Sequence, residues 1–428
     1  MTDALPKVSP EILKRQTYRM VLPNGIVVLV VENPTADIIA ARCFFKGGTR
    51  VETSNLAGIS HLVSSLLTKG TINHSSQEIA EQIESIGASL GTEASPDYFL
   101  LSIKTISADF ATILTLAAEI LRSPTFPLTE LELERRLTIQ AIRSQQERPF
   151  SIAYDHLQKL MYGDHPYGFS ALGTELTVDE IEQSDLFAYH QTHFRPDRMV
   201  ISIAGRITPE QALALVEETF GDWQPQTQVT PPIIEMSPFQ PKRMLSEQDT
   251  QQAIVMLGYR APAVNSKDYG ALKLITTYLG NGLSSRLFVE LREKRGLAYE
   301  VSAFYPTRLE LSQFVTYMGT APHNADIALK GLKAECDRLI HEILDLDDLE
   351  ISKSKLLGQY ALGKQTNSQI AQVFGWYEVL ELGVAFDLDF VTLIESVTVS
   401  EIQQAAQTYF VTPAVSVVGS AEALGTLV

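Results

Sequence analysis

His61, Ser64 and Ser65 stand in GISHLVSSLLTKGT, residues 58–71, at a spacing that binds metal when it is filled differently. On a helix, residues i and i+4 share a face, so H-x-x-E-H brings two imidazoles to one zinc ion with a carboxylate beside them. Here the five positions read His61, Leu62, Val63, Ser64 and Ser65. Serine hydroxyls are neither good zinc ligands nor bases near neutral pH. Hydrolytic zinc needs three protein ligands and an open position, and one imidazole will not hold it. Two serines beside a histidine also suggest nucleophilic chemistry. On one helix, however, the set has no third orienting group and no oxyanion hole.

Two further constellations bear on chemistry. His190 and His193 in DLFAYHQTHF have i, i+3 spacing, which suits a metal; a surface or capping pair near a helix C-terminus reads the same way. In LREKRGLAY, Arg292 and Tyr299 stand seven residues apart. A guanidinium fork and a phenol both donate to an oxygen that gains negative charge, and arginine grips acceptors bidentately. The alternative is an ion pair of Arg292 with a nearby glutamate and a core position for Tyr299.

The elements that must position these residues follow a repeated plan. TVDEIEQSDLFAYHQTHFRPDRMVISIAG (177–205) and TVSEIQQAAQTYFVTPAVSVVG (398–419) share TV-x-EI, an amphipathic helix, a Phe, a Pro-containing turn and a strand ending in Gly. Thr177 with Glu180 and Thr398 with Glu401 are expected to form capping boxes. IIAARCFFKGG (38–48) and AIVMLGYRAP (253–262) read as strands, each followed by a helix ending at Gly70 or Gly280. The repeat spacing is a little over 210 residues. Five prolines from Pro225 to Pro241 mark a linker over 226–241, between halves at 1–225 and 242–428. YRMVLPNGIVVLVVEN (18–33) reads as a hairpin turning at Asn24-Gly25. Residues 75–87, 130–147 and 325–343 favour helix. The expected fold is α+β, with helices on one face of a mostly antiparallel sheet in each of two homologous α/β sandwich halves.

Bulk properties narrow the function. The chain has 428 residues and a net charge of −17, which disfavours nucleic acid and anionic membrane surfaces as partners. Cys43 and Cys336 are far apart and read as buried free thiols of a reducing compartment. MTDALPKVSPEILKRQ has no apolar leader, and IVVLVV is too short to span a membrane, so a cytoplasmic location is expected.

MVLPNGIVVLVVE (20–32), KGGTRVETSNLAGISHLVSSLLTKGT (46–71), HPYGFSALGT (165–174) and LGNGLSSRLFVELREKRGLAYEVSAFY (279–305) occur in an order that resembles the pitrilysin family of zinc metallopeptidases, in its processing-peptidase and bacterial short-chain branch. The resemblance spans almost the whole chain. It implies two homologous halves and a clamshell assembled around a peptide chamber. Active members hold zinc with the two histidines of H-x-x-E-H and a downstream glutamate, and the motif's own glutamate is the general base. Here the base position is Ser64 and the second ligand Ser65. The third ligand falls in ELERRLTIQAI, after the family-type Glu134, on Ala141. The family's arginine–tyrosine pair, by contrast, matches Arg292 and Tyr299, which the resemblance makes substrate-binding residues.

These matches imply a chain that binds no zinc itself and is inactive alone. It is expected to pair with a zinc-bearing H-x-x-E-H paralogue in a heterodimeric endopeptidase that degrades or processes peptides. GASLGTEASPDYFLLSI (87–103) reads as strands where active members offer an edge to an extended peptide. Alternatives are an assembly subunit resembling the core proteins of a respiratory complex, a peptide-binding homodimer without proteolysis, and an enzyme with a displaced metal.

Overall fold

The computed structural model describes residues 16–224, 236 and 239–427. Two sheets organise it. The first runs β1(Tyr18–Val21), β2(Val27–Glu32), β6(Met199–Gly205), β3(Ile38–Lys46), β5(Tyr98–Ile106), β4(Ser89–Ala94) across its width. The second runs β7(Arg243–Glu247), β11(Ala414–Gly419), β8(Ala253–Ala261), β10(Ser312–Thr320), β9(Ala298–Phe304). In each sheet one parallel pair, β2 with β6 and β7 with β11, sits among antiparallel neighbours. The two orders superimpose strand for strand once β1 is set aside, so the repeat is one of topology. Most of the linker expected over 226–241 lies outside the described residues, as do the first fifteen residues, where no apolar leader is expected.

The helices of the first half are α1(Ile59–Leu66), α2(Ser76–Ser85), α3(Phe110–Arg122), α4(Leu128–Gln146), α5(Pro149–Tyr162), α6(Glu175–Glu180), α7(Gln183–His193) and α8(Pro209–Phe220). Those of the second are α9(Tyr269–Gly280), α10(Ala325–His341), α11(Leu346–Leu362), α12(Asn367–Val379), α13(Phe386–Ser396), α14(Val399–Tyr409) and α15(Ala421–Gly425). The Asn24-Gly25 turn joins β1 to β2 as expected, with Gly25 at φ 95.

Alternate residues of a strand face opposite sides. On β3, Ile39, Ala41, Cys43 and Phe45 face the first half's own helices, while Ala40 and Phe44 point away, and all six are buried. What covers the second face is a helix from the other half. Ile370, Ala371, Phe374 and Tyr377 of α12 pack on Leu29, Ala40, Phe44 and Val200. Reciprocally, Ala153, Leu157 and Met161 of α5 pack on Ile254, Met256, Val315 and Val418 of the second sheet. Each half lends the other one helix. The contacts are close: a Cβ on Gly375 would lie 2.3 Å from the Phe44 ring, and one on Gly258 would lie 2.9 Å from Leu157. Burial of both sheet faces explains why these strands are apolar almost throughout, as strands covered on both sides are.

Polar contacts reinforce the seam. Arg19 pairs with Glu378 at 2.8 Å, and Asn33 Nδ2 donates to Asn367 at 2.7 Å. At the root of α12, Asp387 accepts from Lys364 at 2.6 Å and from Tyr360 at 3.0 Å. The HPYG loop forms a second seam. His165 Nε2 meets Glu310 at 2.9 Å, Arg50 bonds the same carboxylate at 2.9 Å, and Tyr167 donates to buried Asp97.

One expected cap is displaced. Thr398 and Glu401 form the capping box at the start of α14. Thr177 and Glu180 do not form one. Thr177 is the third residue of α6, capped by Thr174, and its hydroxyl donates to Ala57 O at 2.8 Å; Glu180 ends that helix. The counterpart of Thr398 is Glu182, which caps α7 with Asp185. Glu182 and Thr398 each stand twelve residues before the matching Phe194 and Phe410. The TV-x-EI strings are therefore five residues out of structural register.

The exchange can be tested with two helical glycines. Gly375→Ala should lower stability by about 1–2 kcal/mol, because overpacking against buried Phe44 outweighs the gain in helix propensity. Gly358→Ala on α11, where an added Cβ meets nothing within 4 Å, should be neutral or stabilising by up to about 1 kcal/mol. Urea denaturation midpoints read both. Equal shifts would show that the α12 contact is looser than the packing described here.

Candidate functional site

Helix α1, which carries the degenerate metal motif, begins at Gly58 in the left-handed region, φ 95. Its first amides need acceptors. The Glu52 carboxylate supplies them, accepting from Gly58 N at 3.0 Å and Ser60 N at 2.9 Å. Burial pushes the Glu52 carboxyl up to about 7, against the pull of those bonds. The Ser60 hydroxyl also meets Tyr189 Oη at 2.9 Å. Leu62, Val63 and Leu66 are fully buried and anchor the other face.

His61 is half-buried on α1, and burial lowers its pKa while Glu134 on α4 opposes that shift. Ser64 is buried and its carbonyl accepts from Thr92 Oγ1 at 2.7 Å, tying α1 to the edge strand β4. Ser65 is half-buried. Ala141, two turns beyond Glu134, is exposed on α4. The fold thus places α1 and α4 side by side, with His61 against Glu134. The donor set is one imidazole, two hydroxyls and a methyl, which does not fit zinc. Among the described residues no group of three or more His, Cys, Asp or Glu side chains is placed to hold a metal ion.

His190 and His193 are neither a surface pair nor a charged cap; both are buried. His190 Nε2–H donates to Leu121 O at 2.8 Å, and burial pushes its pKa down to about 4. His193 packs against Tyr189 with ring centroids 4.3 Å apart and the planes tilted by 48°, and its Nδ1 is buried with no hydrogen-bond partner among the described residues. Burial, with Arg198 and Arg195 adding, pushes His193 down to about 3. The two rings serve the core of the first half as neutral groups.

Arg292 and Tyr299 are displayed by two irregularities of the backbone. Arg292 lies on a π-helical turn, Phe288–Glu293, with Lys294 N bonded to Val289 O at 3.0 Å. Buried Leu291 pins the turn, and Gly296 at φ 63 leads the chain into β9. On β9, Glu300 pairs with Gly319 and Ala298 with Thr320, so Tyr299 is the extra residue of a β-bulge on an edge strand. Bulges re-aim side chains, and Tyr299 is 58% exposed. Arg292 is exposed and forms no ion pair among the described residues. Glu290, the nearby candidate, is held by Arg286 at 2.9 Å and Lys294 at 2.8 Å. The core role for Tyr299 and the ion pair for Arg292 are both absent.

Sequence reasoning passed over Glu52 and Phe288. Glu52 lies six residues before a glycine that opens a helix, too far for a capping box. The Phe288 ring lies 4.8 Å from the Arg292 guanidinium, and its signal was the i, i+4 aromatic–arginine spacing in RLFVELREK.

Comparison with known proteins agrees with this architecture. Residues 27–175 match the family described as insulinase (peptidase family M16), and residues 180–356 match the peptidase M16 inactive domain. The chain belongs to peptidase family M16, the pitrilysin family. It is 29% identical over 361 residues to the uncharacterized zinc protease YmxG of Bacillus subtilis, covering 84% of this chain and 87% of that one. It is 27% identical over 359 residues to the uncharacterized zinc protease ML0855 of Mycobacterium leprae, covering 83% and 81%. Its fold matches a peptidase M16 inactive domain from Pseudomonas fluorescens with a TM-score of 0.89 at 23% identity, covering 95% and 98%. A protease from Helicobacter pylori matches with a TM-score of 0.88 at 23% identity, covering 95% and 99%. No helix among the described residues is long and apolar enough to cross a membrane.

The buried histidines set a pH dependence. Their folded pKa values lie below the value near 6.5 of an unfolded chain, so the unfolded state binds more protons as pH falls and stability falls with it. Between about pH 7 and 5 the loss should be about 2 kcal/mol per histidine. His193→Phe keeps a ring against Tyr189 and removes one such contribution. Glu52, whose raised pKa works in the opposite direction, is common to both proteins and cancels. Denaturation at the two pH values should show a shallower loss for His193→Phe; parallel losses would mean that His193 is protonated in the folded chain.

Proposed function

We propose that this chain is the zinc-less subunit of a two-chain M16 endopeptidase and supplies Arg292 and Tyr299 to a shared peptide site. One observation carries the reading. The chain presents both donors to solvent, unpaired, on a π-turn and a bulge, while its metal positions hold His61, Ser64, Ser65 and Ala141. Zinc and the general base belong, in this reading, to an H-x-x-E-H paralogue. On this side the chemistry is hydrogen bonding. The guanidinium and the phenol donate to the oxygen of a peptide carbonyl as it gains charge, and their preset positions lower the barrier. The unpaired side of β4, at the sheet edge next to α1, suits main-chain bonds from an extended peptide.

The metal assignment predicts that the purified chain holds no stoichiometric zinc. Ser64→Glu with Ser65→His should remain inactive, because two histidines leave the ligand set incomplete, and Ala141→Glu is needed in addition. Metal analysis and a chelator-sensitive peptidase assay test this. One tight zinc per wild-type chain, lost on His61→Ala, would overturn it.

The Arg292–Tyr299 assignment predicts that Arg292→Ala and Tyr299→Phe leave assembly with the H-x-x-E-H paralogue intact but slow turnover. Loss of one preset donor costs roughly 3 kcal/mol, about a hundredfold in rate. Arg292→Lys should be nearly as damaging, since lysine lacks the planar fork. Size-exclusion chromatography of each mixture, followed by turnover at saturating peptide, reads the result. Unchanged turnover in both variants would favour an assembly subunit.

A further inference from the structure

We infer that Phe288 is the positioning residue for Arg292, its ring holding the guanidinium where a carboxylate would otherwise do so. The inference rests on the substrate role proposed above for Arg292. An exposed arginine has many rotamers to lose, so one that must meet a carbonyl at a fixed place needs a contact that restrains it. Elsewhere on this surface carboxylates provide that contact. Arg19 is held by Glu378, Arg122 by Asp222, Arg143 by Glu175 and Arg338 by Glu342, at 2.6–2.8 Å. A carboxylate occupies the donors it binds and cancels the charge.

Arg292 is held differently. Its guanidinium carbon lies 4.8 Å from the centre of the Phe288 ring. A ring face attracts the cation through its quadrupole but takes none of the in-plane N–H donors that a peptide oxygen needs. The platform is fixed, because Phe288 packs against the core of the second half and the next turn is pinned by buried Leu291. Glu290, the carboxylate on the same turn, is drawn away by Arg286 and Lys294. The π-turn thus restrains Arg292 and leaves its fork open, on the approach to the bulge that displays Tyr299.

The test is a double-mutant cycle with a partner-independent arm. Phe288→Leu keeps apolar volume and removes the ring; Phe288→Tyr keeps the ring. In the complex with the H-x-x-E-H paralogue, with dye-labelled casein as probe, Phe288→Leu should lower kcat/KM roughly two- to fivefold, and Phe288→Tyr should restore it. In an Arg292→Ala background Phe288→Leu should have no further effect, because the ring acts only through the guanidinium. An equal loss in both backgrounds would make Phe288 merely structural and overturn the inference. So would wild-type activity in Phe288→Leu alongside a slow Arg292→Ala. The second arm uses the chain alone, labelled with 15N-arginine. The Arg292 Nε–H resonance, identified by its absence in Arg292→Ala, should lose its ring-current displacement in Phe288→Leu and keep it in Phe288→Tyr. A resonance indifferent to Phe288 overturns the contact itself. If the resonance responds but Arg292→Ala leaves turnover unchanged, the contact stands, the substrate role proposed for Arg292 fails, and the positioning role falls with it.

Discussion

The constraint on which the rest of this structure depends is the burial of the outer faces of two sheets by exchanged helices. Strands such as β3 and β8 are buried on both sides, and the face of each sheet turned away from its own half's helices is covered by a helix of the other half. Leaving Phe44, Leu29 and Val200 in water would cost about 1.5–3 kcal/mol for each large side chain. α12 removes that cost for the first sheet and α5 does so for the second. The exchange also sets the relative placement of the halves, since each is held by an element threaded from the other. Asp387, Lys364 and Tyr360 fix the base of α12, and Arg260 bonded to Met161 O at 3.0 Å secures the end of α5.

The same constraint explains how the chain keeps a metalloprotease fold with a ligand set that does not fit zinc. Helix α1 owes its N-terminus to the Glu52 carboxylate and its buried face to Leu62, Val63 and Leu66. α4, which carries Glu134 and Ala141, runs directly into α5, and α5 is locked on the second sheet. These anchoring contacts are made by residues other than 61, 64, 65 and 141. Exchange of ligands for serine and alanine therefore removes chemistry without removing architecture, as sites grafted on a scaffold allow.

Local features were legible in the sequence for local reasons. The Asn24-Gly25 turn, the Thr398–Glu401 cap and the long helices all follow from residues within a few positions of one another. The helix exchange was not legible, because it pairs residues some 330 positions apart, such as Phe44 with Gly375. Its trace was present nonetheless in IIAARCFF, apolar at every position but Arg42, a pattern that suits a sheet covered on both faces. The Thr177–Glu180 expectation failed because a string match outranked chemistry. Thr177 is committed to Ala57 O on the Gly58 turn, and the true cap of α7 is an acid with no resemblance to threonine. The candidate metal positions and the Arg292–Tyr299 pair came from motif resemblance; their exposure and backbone setting came only from the structure.

That backbone setting separates the two sites. Around His61 the irregular backbone lies outside the motif: the helix itself is regular, with Gly58 N and Ser60 N bonded to Glu52 and one face packed in the core. Around Arg292 and Tyr299 the backbone departs from regularity twice within about a dozen residues, in a π-turn and in an unpaired bulge residue. The π-turn buries Leu291 while exposing Arg292, and the bulge exposes Tyr299. π-turns and bulges recur at functional sites because they re-aim side chains, and in this chain both lie in the second half, on a different sheet from the helix that carries His61, Ser64 and Ser65.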